Sequence, residues 1–201
     1  MAAKVACPTS YSGIDSEGQL VGKFAEAVQE RMCERLAERR PGFDWETERS
    51  LGGTPVDVVG IGGTPADVVG LGETPADVVG IGEADLVAIE LEWRRADPAD
   101  NTAKLFRYLS TGNEGVLTAH RRVVVVQVFT AYYDLASGGV SSKRKNAEFV
   151  GRVAQRALES VTYHPVKFDL DPPKRGGEWP SGWREVADET VDAVIARSEP
   201  L

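Results

Sequence analysis

Two carboxylates two residues apart close an otherwise apolar run: from Asp85 the chain reads Leu86, Val87, Ala88, Ile89, Glu90, Leu91, Glu92, Trp93. In a β-strand, side chains two apart leave from the same face, so Glu90 and Glu92 project together. Such a pair repels itself and resists burial unless a cation or a proton holds it. Chemistry is therefore expected first at this pair. The competing reading is an exposed edge strand on which Glu90 and Glu92 meet Arg94 or Arg95, an arrangement worth little energy. Leu86 and Ala88 lie on the same face and favour partial burial.

A third carboxylate is offered by a decapeptide repeat. It begins at Gly52 (GGTPVDVVGI), recurs at Gly62 (GGTPADVVGL) and Gly72 (GETPADVVGI), and diverges from Gly82 (GEADLVAIEL). Its even period keeps Asp57, Asp67 and Asp77 on one face if the units are extended. The plain reading of residues 52–81 is an elongated hairpin inserted by tandem duplication, with Pro55, Pro65 and Pro75 limiting its ladder pairing. A hairpin turning on residues 82–85 pairs Asp77 with Glu90, Val79 with Ala88 and Ile81 with Leu86, and opposed residues share a face. Asp77, Glu90 and Glu92 then converge, the geometry by which hard oxygen ligands hold Mg²⁺ with several waters in place. Asp57 and Asp67 sit in the same local sequence; Asp77 is preferred because it closes the shortest hairpin with Glu90.

The elements around this site follow from periodicity. Leu20, Phe24, Val28, Met32 and Leu36 recur every four residues, an amphipathic helix ending before Pro41. Residues 44–51 alternate as a first strand, and Val78 to Trp93 gives two strands. After Pro98 a helix runs to Gly112, with Asn101, Lys104 and Tyr108 directed at the carboxylates and Leu105 and Leu109 at the core. A lone helical Lys is otherwise a solvent-facing one. Residues 123–133 read as a buried central strand. Ser141 or Ser142 caps the next helix, whose apolar stripe is Phe149, Val150, Val153, Ala157 and Leu158. A last strand over 161–170 and a closing helix over 183–196 complete the order α-β-β-β-α-β-α-β-α. The expected fold is α/β: one domain over residues 1–201 with a central mixed sheet flanked by helices, and residues 171–201 as a C-terminal extension.

At 201 residues the chain is long enough to bury a core without staples. No apolar run reaches membrane-spanning length, and residues 1–8 lack the apolar segment of a secretory signal. Cys7 and Cys33 have no metal-type spacing and suit a reduced, cytoplasmic setting. The net charge of −8 opposes nucleic-acid binding through the overall field, leaving local cations to do it. Acid excess with Arg favoured over Lys also fits a halophilic protein, in which salt shortens that long-range repulsion.

The order of elements, with an Asp on one hairpin strand and Glu90-x-Glu92 on the next, resembles the PD-(D/E)xK nuclease superfamily and its restriction-endonuclease-like fold. The resemblance runs over roughly residues 20–170. Ala76 stands where that family often has a Pro before the Asp, with Pro75 displaced by one, and Glu92 occupies the usual Lys position. The resemblance implies hydrolysis of DNA phosphodiesters with Mg²⁺ or Mn²⁺. Asp77 and Glu90 would be ligands, helped by the Leu91 carbonyl and by Glu26 or Glu30. Glu92 or Lys104 would orient the attacking water, and Lys104 would neutralise the phosphate. A nuclease-fold protein that binds DNA or a partner without turnover is the alternative it leaves open. DNA is the expected partner, no membrane is, and a homodimer is an option.

Lys143, Arg144 and Lys145 cluster at a helix N-terminus, where cations oppose the macrodipole unless an anion such as DNA phosphate is nearby. With Asn101 they form the expected DNA contacts; a solvated turn is the plainer alternative. His120 and His164 lack ligand-spaced partners and read as structural. No nucleotide-binding glycine loop is present. Residues 174–179 read as an exposed connection in which Arg175 and Trp179 could meet a partner.

Overall fold

A computed structural model describes residues 19–51, 54–62, 85–93, 97–111, 120, 122–174 and 177–198. The chain runs α1 (Gln19–Arg39), β1 (Phe43–Leu51), β2 (Thr54–Gly62), β3 (Asp85–Glu92), α2 (Pro98–Thr111), β4 (Arg122–Thr130), a 3₁₀ turn (Ala131–Tyr133), α3 (Ser142–Ala157), β5 (Val161–Phe168) and α4 (Trp183–Ser198). The five strands form one sheet in the order β1-β2-β3-β4-β5. β1–β2 and β2–β3 are antiparallel; β3–β4 and β4–β5 are parallel, each crossing over through one helix. This is an α/β protein with a mixed sheet between two helical layers.

The layers follow from which side chains need cover. Phe24, Val28, Met32 and Leu36 of α1 are wholly buried, each contributing roughly 1.5–3 kcal/mol by leaving water. They pack with Trp183, Ala187, Val191 and Val194 of α4 on Val87, Ile89 and Leu91 of β3 and Val124, Val126 and Val128 of β4. On the other face Leu105, Phe106 and Leu109 of α2 cover Leu86, Ala88, Val123 and Val125, with Ala154 of α3 and its C-cap residue Leu158 alongside. Covered on both sides, β3 and β4 must be apolar almost throughout. The C-terminal segment thus contributes half of one helical layer. Among the described residues no helix is long and apolar enough to cross a membrane.

The second strand differs from expectation. β3 is flanked by β2 and β4, and the expected partner stretch Val78–Ile81 lies outside the described residues. The first decapeptide takes the place expected of the third: Val59 faces Ala88 and Ile61 faces Leu86, where Val79 and Ile81 were expected. The β1–β2 ribbon explains the choice. Its register closes with Leu51 opposite Thr54, and the Gly-Gly that separates them in the sequence is a strong hairpin signal. Trp45 and Phe43 of β1 lie over Gly60 and Gly62; a Cβ at either glycine would stand 2.5 Å from the ring. Such aromatic cover offsets the weakness of glycine in a strand. Pro55 falls in the part of β2 that has no β3 partner, where a missing N–H does not break that ladder. Asp67 and Asp77 lie outside the described residues.

Among the described residues the sheet takes the first copy of the repeat as β2, and the second copy is expected to be dispensable. Deleting residues 63–72 is expected to leave the fold intact and to raise stability by about 0.5 kcal/mol through a shorter closed loop. Urea denaturation of the deletion variant measures this; a loss of several kcal/mol would tie the second copy to the sheet.

Two other expectations change. The central strand ends at Thr130, and residues 131–133 form a 3₁₀ turn. α3 turns Ala147 and Gly151 inward, while Phe149 and Val153 stand 65% and 44% exposed and Ala157 is exposed. The inward phase is set by Tyr163, whose ring lies where a Cβ at Gly151 would be, at 2.4 Å. Ser141 caps α3 as expected, its Oγ accepting from Arg144 N. His164, half-covered on β5, has its pKa lowered by burial and then by Arg197 and Arg122.

Candidate functional site

The carboxylates gather where β2 and β3 part. Glu48 of β1 has a left-handed backbone, φ 53°, which costs a non-glycine residue about 1–2 kcal/mol. Opposite it the β1–β2 ladder skips Asp57, pairing Thr47 with Val58 and Arg49 with Val56. Both strands change face at this crease. Val58 buries in the α1–α4 core and Val56 in the α2 core, although residues two apart in a regular strand share a face. The β2–β3 pairing stops at Val58 and Ile89.

Released from the ladder, the Asp57 carboxylate occupies the fork. Its Oδ2 accepts from Leu91 N–H at 2.6 Å and its Oδ1 from Gln29 Nε2 at 2.6 Å. The backbone amide that Asp57 holds thus lies between Glu90 and Glu92. Hydrogen bonds donated to an ionised oxygen are about twice as strong as neutral ones, which favours a fixed carboxylate here.

Glu90 and Glu92 share the α2–α3 face with Leu86 and Ala88, at the carboxyl ends of the parallel strands. Open α/β sheets commonly bind ligands at this end. Glu90 is half-buried, and Glu92 is 1% exposed. A buried carboxylate needs donors, and β4 supplies one: Gln127 Nε2 donates to Glu92 Oε1 at 2.9 Å and to Thr102 Oγ1 at 2.8 Å. Thr102 donates onward to Pro98 O at 2.7 Å, and Tyr163 OH donates to Gln127 Oε1 at 2.6 Å. The direction of this chain is chemically fixed. A carboxylate can only accept, so Nε2 faces Glu92 and Oε1 is left for the phenol. Burial first, and then Glu148 and Glu92 among nearby charges, raise the Tyr163 pKa, so the phenol keeps the proton it donates. Thr130 closes the turn beyond, its hydroxyl donating to Trp93 O at 2.6 Å.

The other expected site residues are placed differently. On α1 it is Gln29 that faces inward, while Glu26 and Glu30 are exposed; the phase set by Val28, Met32 and Leu36 turns them away. On α2, Leu105, Phe106 and Leu109 set the inward phase, and Thr102, three residues before Leu105, follows it. Asn101 is half-buried. Lys104 is exposed and paired with Asp100 at 2.5 Å, so it is not brought to the carboxylates. Tyr108 is half-buried beneath the Arg107 guanidinium. Lys143 and Lys145 are exposed at the start of α3. Arg144 instead folds inward over the Phe129 ring, with its Nε 2.8 Å from Glu148 Oε1.

Asp57 and Glu90 stand at facing positions one step beyond the last β2–β3 pair. Asp57 is bonded to Gln29 on the α1 side of the sheet and Glu90 lies on the α2–α3 side, with the Leu91 peptide between them. Among the described residues no three His, Cys, Asp or Glu side chains gather as a metal cage. Mg²⁺ does not require one: it is commonly held by one or two carboxylates, waters and a substrate phosphate, and carboxylate oxygens of that kind flank the fork. Compared with protein-family models, with curated proteins and with solved structures, the chain finds no match in any of the three.

Proposed function

We propose that the protein is a Mg²⁺-dependent hydrolase of DNA phosphodiester bonds, of restriction-endonuclease-like fold, with its site at Asp57, Glu90 and Glu92. The observation that carries the reading is the fork: one strand presents a carboxylate to the amide between two carboxylates of the next. The strand order, with Asp on β2 and Glu-x-Glu on β3, agrees with the family resemblance. Asp57 and Glu90 would hold the ion. When bound, Mg²⁺ or Mn²⁺ would polarise a phosphate oxygen and acidify water. Glu92, fixed by Gln127, would accept a hydrogen bond from the attacking water and so orient it.

A second reading is a module of the same fold that binds DNA or a protein without hydrolysis. It is favoured by Glu92 standing at the family's Lys position and by Lys104 pointing outward. Titrating Mg²⁺ and Mn²⁺ against supercoiled plasmid and single-stranded DNA, at low and high salt, separates the two. Cleavage is expected from the native chain and a loss on the order of 100-fold or more from Glu90→Ala, with the melting temperature preserved. Equal cleavage by the variant would remove the assignment. Binding without cleavage in either metal would leave the second reading.

A further inference from the structure

The charge of this protein is unevenly placed. In a chain of net charge −8, α3 carries Lys143, Arg144, Lys145, Arg152 and Arg156 against a single acid, Glu148. Arg144 and Glu148 pair with each other on the half-buried side, and Arg152 reaches the other Glu148 oxygen at 2.5 Å from an exposed position. Lys143, Lys145 and Arg156 are exposed as well. Lys145, Phe149, Arg152, Val153 and Arg156 are all exposed, and steps of three and four residues put them on one face of the helix. Phe149 is the most exposed large apolar side chain among the described residues, at 65%, and it stands between Lys145 and Arg152. The opposite face is committed to the fold through Ala147 and Gly151, the latter under the Tyr163 ring.

We propose that this outer face of α3 is a docking surface for nucleic acid, its three cations tracking the phosphate backbone and Phe149 stacking on an unpaired base. The choice of occupant rests on charge. A second copy meeting the same face about a two-fold axis would set the cation row against itself. A phosphodiester strand is complementary to it, and an exposed aromatic ring within a basic stripe is how sequence-tolerant single-strand binding is built. α3 follows parallel strand β4, so its first turn begins at the sheet end that carries Glu90 and Glu92. The inference deepens the reading of a DNA-acting site and extends it beyond the helix terminus.

Fluorescence anisotropy with a labelled single-stranded oligonucleotide, its labelled duplex and labelled poly-glutamate, each in EDTA, tests the surface without hydrolysis. The triple variant Lys145→Gln/Arg152→Gln/Arg156→Gln is expected to bind duplex at least tenfold more weakly near 0.1 M salt. Its slope of log affinity on log salt should shrink by about 2.7, close to 0.9 per cation removed. Phe149→Ala should weaken single-strand binding about tenfold and duplex binding little. Affinities and slopes equal to those of the native chain in all variants would overturn the proposal. So would poly-glutamate binding as tightly as the oligonucleotide with no effect of Phe149→Ala, which would assign the face to an acidic protein. Native binding through α3 without metal-dependent cleavage would remove hydrolysis and keep the surface; cleavage insensitive to the α3 variants would do the reverse.

Discussion

Asp57→Asn is expected to lower Mg²⁺-dependent cleavage on the order of 100-fold, while Asp77→Asn leaves it within about twofold. The two residues occupy the same position of nearly identical decapeptides, so local sequence does not separate them. Pairing does. Only the first copy is the neighbour of β3, and its Asp57 receives Leu91 N–H and Gln29 Nε2. An amide at position 57 keeps one acceptor oxygen and turns an NH₂ group toward one of those donors. That mismatch also costs roughly 1–3 kcal/mol of stability. Cleavage and urea midpoints measured on both variants decide the matter; loss of activity in Asp77→Asn with retention in Asp57→Asn would overturn the assignment.

Gln127→Leu should destabilise the fold by about 3 kcal/mol, because it strands the buried Glu92 oxygen and the Tyr163 hydroxyl together. The diagnostic outcome is the double variant. Replacing both members of a buried polar pair by apolar groups is close to neutral, so Gln127→Leu/Glu92→Leu should recover the share of the loss due to Glu92, the Tyr163 hydroxyl still lacking its acceptor, while remaining inactive. Glu92→Gln keeps an acceptor for Gln127 Nε2 and should fold within about 1 kcal/mol of the native chain. Additive costs in the cycle would mean that Gln127 and Glu92 act independently, contrary to the 2.9 Å contact.

The elements were legible where one face had to be buried. The four-residue recurrence of Phe24, Val28, Met32 and Leu36, the β-branched run after Arg122 and the cap at Ser141 each carry a local cause, and the structure has them. The element order held as well. Strand pairing is not local: three decapeptides offered β3 equivalent partners, and the deciding signal was Gly52-Gly53, which ties the first copy to β1. On α2 the core phase of Leu105 and Leu109 is as expected, and it brings Thr102 rather than Lys104 toward Glu92. On α3 a small residue, Gly151, rather than Phe149, faces the sheet because the Tyr163 ring fills that space. Gln127 was visible as a lone polar residue in an apolar strand, but its partners are set by packing of β4 against α2 and β5.

The crease at Glu48 and Asp57 makes a single ribbon belong to two interiors. Leu51 and Val56 are anchored beneath α2, Trp45 and Val58 beneath α1 and α4. Neither helical layer can therefore peel away without baring half of the same hairpin, which couples the two sides into one cooperative unit. The Leu91 amide proton, clasped by Asp57 at that junction, should exchange with solvent only when the whole molecule opens.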